Sequence, residues 1–317
     1  MPLLKLPTVL KKASVLTLLL ASPLVFADPP RVLASIKPLQ LIAQAITADV
    51  TEVDVLLPPG ASPHSHSLKP SDARKLHSAD VIFWVGPSME AFLPKMLDST
   101  KNATAVAMMD IPGIRLRKNG ASTSEEHAHG EKHHDEDEHH HDHGEYDSHI
   151  WLSTFNGRAM ATAITKVLAS RDKANASQYK KNLKAFLQTM DKADARNTGK
   201  LAHTRQRPIV VFHDAYGYLQ EQYQLNIAGH FTLNPEQQPG ARHLSQLRER
   251  LKKAGNTCIF REPQFQPAYI DRLTKGLPVK VSELDPLGEN IEARPDGFAH
   301  FINTLVDNIS ECVSETS

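Results

Sequence analysis

The chain has 317 residues, 36 Lys and Arg against 36 Asp and Glu, and 17 His. That balance excludes the broad basic surface by which nucleic acid is usually met. The length exceeds what one hydrophobic core normally serves, so two lobes are the expectation.

Lys5, Lys11 and Lys12 precede the apolar stretch "ASVLTLLLASPLVFA", which ends in a small residue before polar "DPP". This pattern predicts a secretory signal peptide over residues 1–27, cut after Ala27. The stretch is short of the roughly 20 apolar residues a membrane-spanning helix needs, and Pro23 interrupts it. It holds no cysteine that could carry a lipid, so the processed chain is expected to be free in an exported compartment.

From residue 31 short apolar runs alternate with amphipathic stretches. "RVLASI" predicts a strand, "KPLQLIAQAIT" a helix with Pro38 in its first turn, "TEVDVLLP" a strand and "SDARKLHSA" a helix capped by Ser71. "DVIFWVG" is the next strand, "PSMEAFLPKML" a helix bent near Pro94, and "ATAVAM" a weak fourth strand. Such alternation predicts a parallel sheet with helices on both faces.

The segment from Lys118 to Ser148 fits neither pattern. It carries ten acidic residues and the histidines His127, His129, His133, His134, His139, His140, His141 and His143, with almost nothing apolar. It cannot bury enough surface to offset its ordering entropy and is expected to be a mobile loop. Abundant imidazole and carboxylate without fixed geometry predicts several weak, fast-exchanging metal sites. The alternative is a solvated acidic tract with no metal role.

Residues 156–206 predict a helical spine, in which Tyr179, Leu183, Phe186, Leu187, Met190 and Ala193 recur at helical spacing. Its second helix should run some 25 residues, capped by Asn175 or Ser177. The pattern of the first half then repeats over residues 207–317. "PIVVF", "LNIAGHF", "TCIFRE" and "LPVKVSEL" predict strands; "DAYGYLQEQY", "HLSQLRERLKKAG", "PAYIDRLTKG" and "DGFAHFINTLVDNI" predict helices. The expected fold is therefore α/β, with two lobes, residues 28–155 and 207–317, joined by a long rigid helix. Cys258 and Cys312 are the only cysteines, and in an exported protein such a pair predicts a disulfide.

Open parallel sheets place ligands beyond the carboxyl ends of their strands. His64 lies in the loop after "TEVDVLLP", His213 directly follows "PIVVF", Asp285 follows "LPVKVSEL", and His149 stands at the foot of the His-rich segment. A cleft between lobes could gather all four. Three neutral imidazoles plus one oxygen suit Zn2+, whereas a manganese site favours more carboxylate. His66 is a rival to His64 in the same loop. His230 also ends a predicted strand, although bonding within its own lobe is the plainer reading. His77, His203, His243 and His300 fall on predicted helices as surface or packing residues. Trp84 reads as core, and Trp151 as core or a wall of the cleft. Zinc needs neutral imidazoles, so its affinity is expected to fall as pH drops through about 6.

"GASPHSHSLKPSD", "DSHIWLS", "VFHDAYGYL", "GHFTLNPEQQPGAR", "REPQFQP" and "LDPLG", in this order, resemble the zinc-specific periplasmic binding proteins of bacterial ABC zinc importers, metal-binding cluster A-I. The resemblance covers nearly the whole chain after residue 27. It implies two α/β lobes on a rigid helix and one tight Zn2+ in the cleft. The implied ligands are His64, His149 and His213, with Asp285 matching a carboxylate that completes the site in related proteins. It also implies a Cys258–Cys312 disulfide, an auxiliary His-rich loop, a periplasmic monomer, an inner-membrane ABC permease as partner and an accessory periplasmic zinc chaperone as a further one. Pro63 stands where many such proteins have Glu, which leaves Asp285, water or His66 for the fourth position. Competing readings are a manganese-binding member of the same family, a secreted zinc hydrolase, and an adhesin or metal buffer acting through the His-rich run alone. No H-E-x-x-H helix supports the hydrolase.

Overall fold

The computed structural model describes residues 28–100, 102–119, 144–265 and 269–315. The predicted signal peptide and the histidines from His127 to His143 lie outside these residues. The first half forms β1 (Val32–Ala34), α1 (Lys37–Thr47), β2 (Val53–Val55), α2 (Pro70–Ser78), β3 (Val81–Trp84), α3 (Pro94–Leu97) and β4 (Thr104–Ala107). Next come α4 (Thr154–Arg171) and α5 (Ala176–Lys200). The second half forms β5 (Ile209–His213), α6 (Gly217–Tyr223), β6 (Ile227–Thr232), α7 (Ala241–Ala254), β7 (Thr257–Arg261), α8 (Tyr269–Thr274), β8 (Val279–Glu283) and α9 (Gly297–Glu315). The two four-stranded sheets are all-parallel and share one topology, with orders β2-β1-β3-β4 and β6-β5-β7-β8.

Local chemistry explains most boundaries. Pro38 sits at the start of α1, where its missing N–H costs no helix bond. Ser153 caps α4 by accepting from Asn156 N at 3.2 Å. At α2 the predicted cap Ser71 lies inside the helix; Pro70 begins it, and Asp72 Oδ2 accepts from Lys69 N at 2.9 Å. "PSMEAFLPKML" yields only the single turn α3, because Pro94 cannot donate to a preceding turn and so starts the helix. Asn175 precedes α5 without a side-chain capping bond, and α5 has the 25 residues expected.

The two sheets do not have separate cores. Along β5, Ile209 and Val211 join one large core that contains the first sheet, α1, the spine helices and α9. Val210 and Phe212 point to the opposite face and a smaller core under α7 and α8. Helix α9 belongs to both halves, packing on α1 and α5 as well as on β7 and β8. The Cys258–Cys312 disulfide fastens it to the central strand β7. Among the described residues no helix is long and apolar enough to cross a membrane.

One buried acid marks the carboxyl edge of the first sheet. Glu90 is fully buried, and its Oε2 accepts from Val85 N at 2.8 Å and Gly86 N at 3.1 Å, fixing the turn after β3. Burial pushes its carboxyl up to about 7. The folded state thus holds the Glu90 proton more tightly than the unfolded chain, so its contribution to stability is complete below the ordinary carboxylate range. That contribution is lost as pH rises through about 7. Glu90→Gln keeps an acceptor for both amides and is expected to be more stable than the wild type at pH 8, by up to about 3 kcal/mol. The gap should close towards pH 4.5; urea unfolding of both proteins across this range checks it, and a gap independent of pH would refute it.

Candidate metal centre

The loop after β2, the carboxyl end of β5 and the segment entering α4 meet between the sheets. The turn after β2 carries His64, the segment entering α4 carries His149, and β5 ends on His213. Their ligand nitrogens all lie within 4.8 Å of one another. His149 Nε2 and His213 Nε2 are 3.2 Å apart, and the three ring centroids are 5.1 to 5.7 Å from each other. A tetrahedral zinc with bonds of about 2.0–2.1 Å places its ligand nitrogens about 3.3–3.4 Å apart, so this spacing fits.

The far side of two of these rings fixes their chemistry. His149 Nδ1 lies 2.8 Å from Asp147 Oδ1, and His213 Nδ1 lies 2.7 Å from Glu262 Oε1. Both carboxylates are buried. A carboxylate accepts, so each Nδ1 is the protonated nitrogen and each Nε2 presents its lone pair to the cluster. Two such lone pairs at 3.2 Å repel unless a cation or a proton lies between them. The arrangement could hold a metal ion.

Each carboxylate is held in turn. The single hydroxyl proton of Tyr216 is shared between Leu284 O at 2.9 Å and Glu262 Oε1 at 3.2 Å; burial, then the charge of Glu262, pushes that phenol well above its ordinary value. Tyr218 donates to Asp147 O at 2.7 Å, and Arg117 Nη1 approaches Asp147 Oδ2 at 3.5 Å while its Nε donates to Glu221 Oε1 at 2.9 Å. Gly217 is what admits the guanidinium, because a Cβ there would stand 2.4 Å from Arg117 Cζ. The ends of the predicted mobile segment belong to this scaffold. Lys118 bridges Tyr146 as an antiparallel pair, and Asp147 N donates to Arg117 O at 2.8 Å, so the ordered chain extends further into 118–148 than its composition predicted.

The cavity beside the cluster is small, about 20 Å3, and His64, His149, Trp151, His213, Gln264 and Phe265 are among its lining residues. Pro63 lines it as well. Trp151 is buried and donates Nε1–H to Pro286 O at 2.7 Å, so it walls the cleft and ties the two halves.

The remaining predicted residues are placed elsewhere. Asp285 is outside the three-histidine group: Oδ1 accepts from Leu287 N and Gln264 Nε2, both at 2.9 Å, and Oδ2 accepts from Glu289 N at 2.7 Å. His66 turns into the first lobe, 3.0 Å from Asp72 Oδ2 and against Phe92. His230 stacks on His243, which bonds the His230 carbonyl at 3.0 Å. Asp147, Glu262 and Gln264 were given no role by sequence reasoning, although all three fall within the quoted motifs.

The family model described as "Zinc-uptake complex component A periplasmic" matches residues 32–312. The chain is 39% identical over 306 residues to the high-affinity zinc uptake system protein ZnuA of Yersinia pestis, covering 93% of this chain and 96% of that protein. It is 39% identical over 310 residues to the corresponding protein of Haemophilus ducreyi, covering 96% and 99%. Among solved structures, a zinc-bound ZnuA deletion mutant is 26% identical with a TM-score of 0.72, over 90% of this chain and 98% of that one. The periplasmic zinc-binding protein TroA of Treponema pallidum shares the fold at 18% identity and a TM-score of 0.72, over 90% and 99%. The three-histidine cleft therefore sits in a chain that belongs to the ZnuA family of periplasmic zinc-uptake components, which are solute-binding proteins and not enzymes.

Proposed function

We propose that the chain captures one Zn2+ on His64, His149 and His213 and delivers it to an inner-membrane ABC permease. The observation that carries this reading is the cluster itself: three imidazoles converge, and two of them are backed by buried carboxylates. Three neutral nitrogen donors favour zinc over manganese, for which an oxygen-rich set would be expected. The relatives named for high-affinity zinc uptake support the same substrate.

The assignment extends to the rest of the chain. Residues 1–27 direct export to the periplasm and are removed. Residues 28–155 and 207–317 form the lobes, and 156–206 the spine. The histidines from His127 to His143 serve as a low-affinity zinc collector that supplies the cleft, alone or with an accessory zinc chaperone, or as a sensor of zinc abundance, and the protein works as a monomer. Asp285 supports the site from outside the histidine group, with its oxygens accepting from Gln264 Nε2, Leu287 N and Glu289 N.

Competitive zinc titration of the processed protein and of a variant lacking residues 121–145, with manganese as control, tests the reading. One tight zinc is expected to survive the deletion, with manganese far weaker in both proteins. Loss of all tight binding would move the main site to the His-rich run, and equal manganese affinity would remove zinc as the substrate.

A further inference from the structure

A residue lining the cavity of the histidine cluster carries a buried polar atom with no hydrogen-bond partner. Gln264 lines that cavity, and its Nε2 donates to Asp285 Oδ1 at 2.9 Å and to Glu289 Oε1 at 2.6 Å. Those two acceptors fix the amide orientation, because a flipped amide would set its oxygen against two carboxylates. Oε1 is then left buried with no hydrogen-bond partner. A buried acceptor without a donor costs about 1–3 kcal/mol, so its retention beside a metal cluster calls for a donor that arrives with the cargo.

We propose that Gln264 is an outer-sphere residue of the zinc site. Its Oε1 accepts a hydrogen bond from a water that completes the coordination of Zn2+ on His64, His149 and His213. The inference rests on the zinc reading and deepens it. Three imidazoles leave one tetrahedral position to fill, and since Asp285 lies outside the group whose ligand atoms converge, water is the ligand that fills it here. Donation by Nε2 to two carboxylates polarises the amide and makes Oε1 a better acceptor for the acidic protons of a metal-bound water. The same chain of bonds reaches the opposite lobe, since Glu289 Oε1 also accepts from Gly60 N at 2.8 Å, in the loop that carries His64. Gln264 thus joins the fourth coordination position to a contact between the two halves. Asp285 and Glu289 act through it without touching the metal.

Gln264→Ala and the near-isosteric Gln264→Met test this in the full processed chain, using zinc as the only added metal. Three measurements are combined: competitive zinc titration, thermal unfolding of the metal-free proteins, and zinc-edge X-ray absorption of the loaded ones. Both variants are expected to lose about 10- to 100-fold in zinc affinity. Their metal-free unfolding midpoints should fall only slightly, because the loss of the two bonds to Asp285 and Glu289 is partly offset by removing a buried unpaired acceptor. The wild-type spectrum should show three imidazole nitrogens and one oxygen without the carbon shell of a bound carboxylate, and the variants should keep the three nitrogens. Unchanged affinity overturns the proposal. So does a carboxylate carbon shell in the wild type, and so does a parallel fall of affinity and metal-free stability, which would make Gln264 a structural brace. A wild type that holds no zinc tightly is a different failure, that of the zinc reading itself.

Discussion

Replacing His213 by alanine is expected to lower zinc affinity about 100- to 1,000-fold. Structural four-ligand zinc sites bind with roughly 10–16 kcal/mol, so each ligand carries about 2.5–4 kcal/mol, and every 1.4 kcal/mol is tenfold. The substitution also strips Glu262 of its closest partner while leaving that carboxylate buried, with only the Tyr216 hydroxyl still donating to Oε1. Glu262→Gln separates the two contributions. It keeps the imidazole and removes the charge behind it, so its expected loss is smaller, about 10- to 100-fold. Competitive titration of both variants, read beside their metal-free unfolding curves, checks the order. Wild-type affinity in His213→Ala would take this residue out of the site, and a larger loss in Glu262→Gln than in His213→Ala would mean that the carboxylate reaches the metal.

The difference between these residues also shows how far the site was legible in sequence. His64 follows and His213 ends a strand that β-branched composition identifies, and parallel topology places each at the carboxyl edge of its own sheet. Asp147 is two residues before His149, where a reader can see it. Glu262, by contrast, is 49 residues from His213 and becomes its partner only because β5 and β7 are neighbours in the sheet. Asp285 illustrates the opposite case. A carboxylate just beyond a strand can equally serve a metal or close its own turn, and position does not separate the two; here its oxygens accept from Leu287 N and Glu289 N. The merged core was illegible for a similar reason. Alternation along β5 says that both faces are covered, and only the path of α9 across the halves says by what.

That path makes the disulfide the strongest single fastening to test. Cys258 and Cys312 are 54 residues apart, and the loop they close contains α8, β8, Gln264, Asp285 and most of α9. On the chain-entropy account a loop of this length constrains the unfolded state by about 4 kcal/mol. Both half-cystines are also buried, Cys258 on the central strand of the second sheet and Cys312 on the helix that packs against α1 and α5. The double variant Cys258→Ala/Cys312→Ala is therefore expected to unfold about 6–8 °C below the wild type, taking about 1.6 °C for each kcal/mol in a chain of about 290 residues. Zinc binds only the folded form, so at about 1,000 times its dissociation constant it should return roughly 4 kcal/mol and bring the variant back near the metal-free wild type. Calorimetric scans of both proteins with and without zinc measure the two effects separately. A variant that melts with the metal-free wild type would show that α9 is held by packing alone. A variant that zinc fails to restore would show that the disulfide shapes the cleft as well as the fold, because the histidines would then no longer be preformed for the ion.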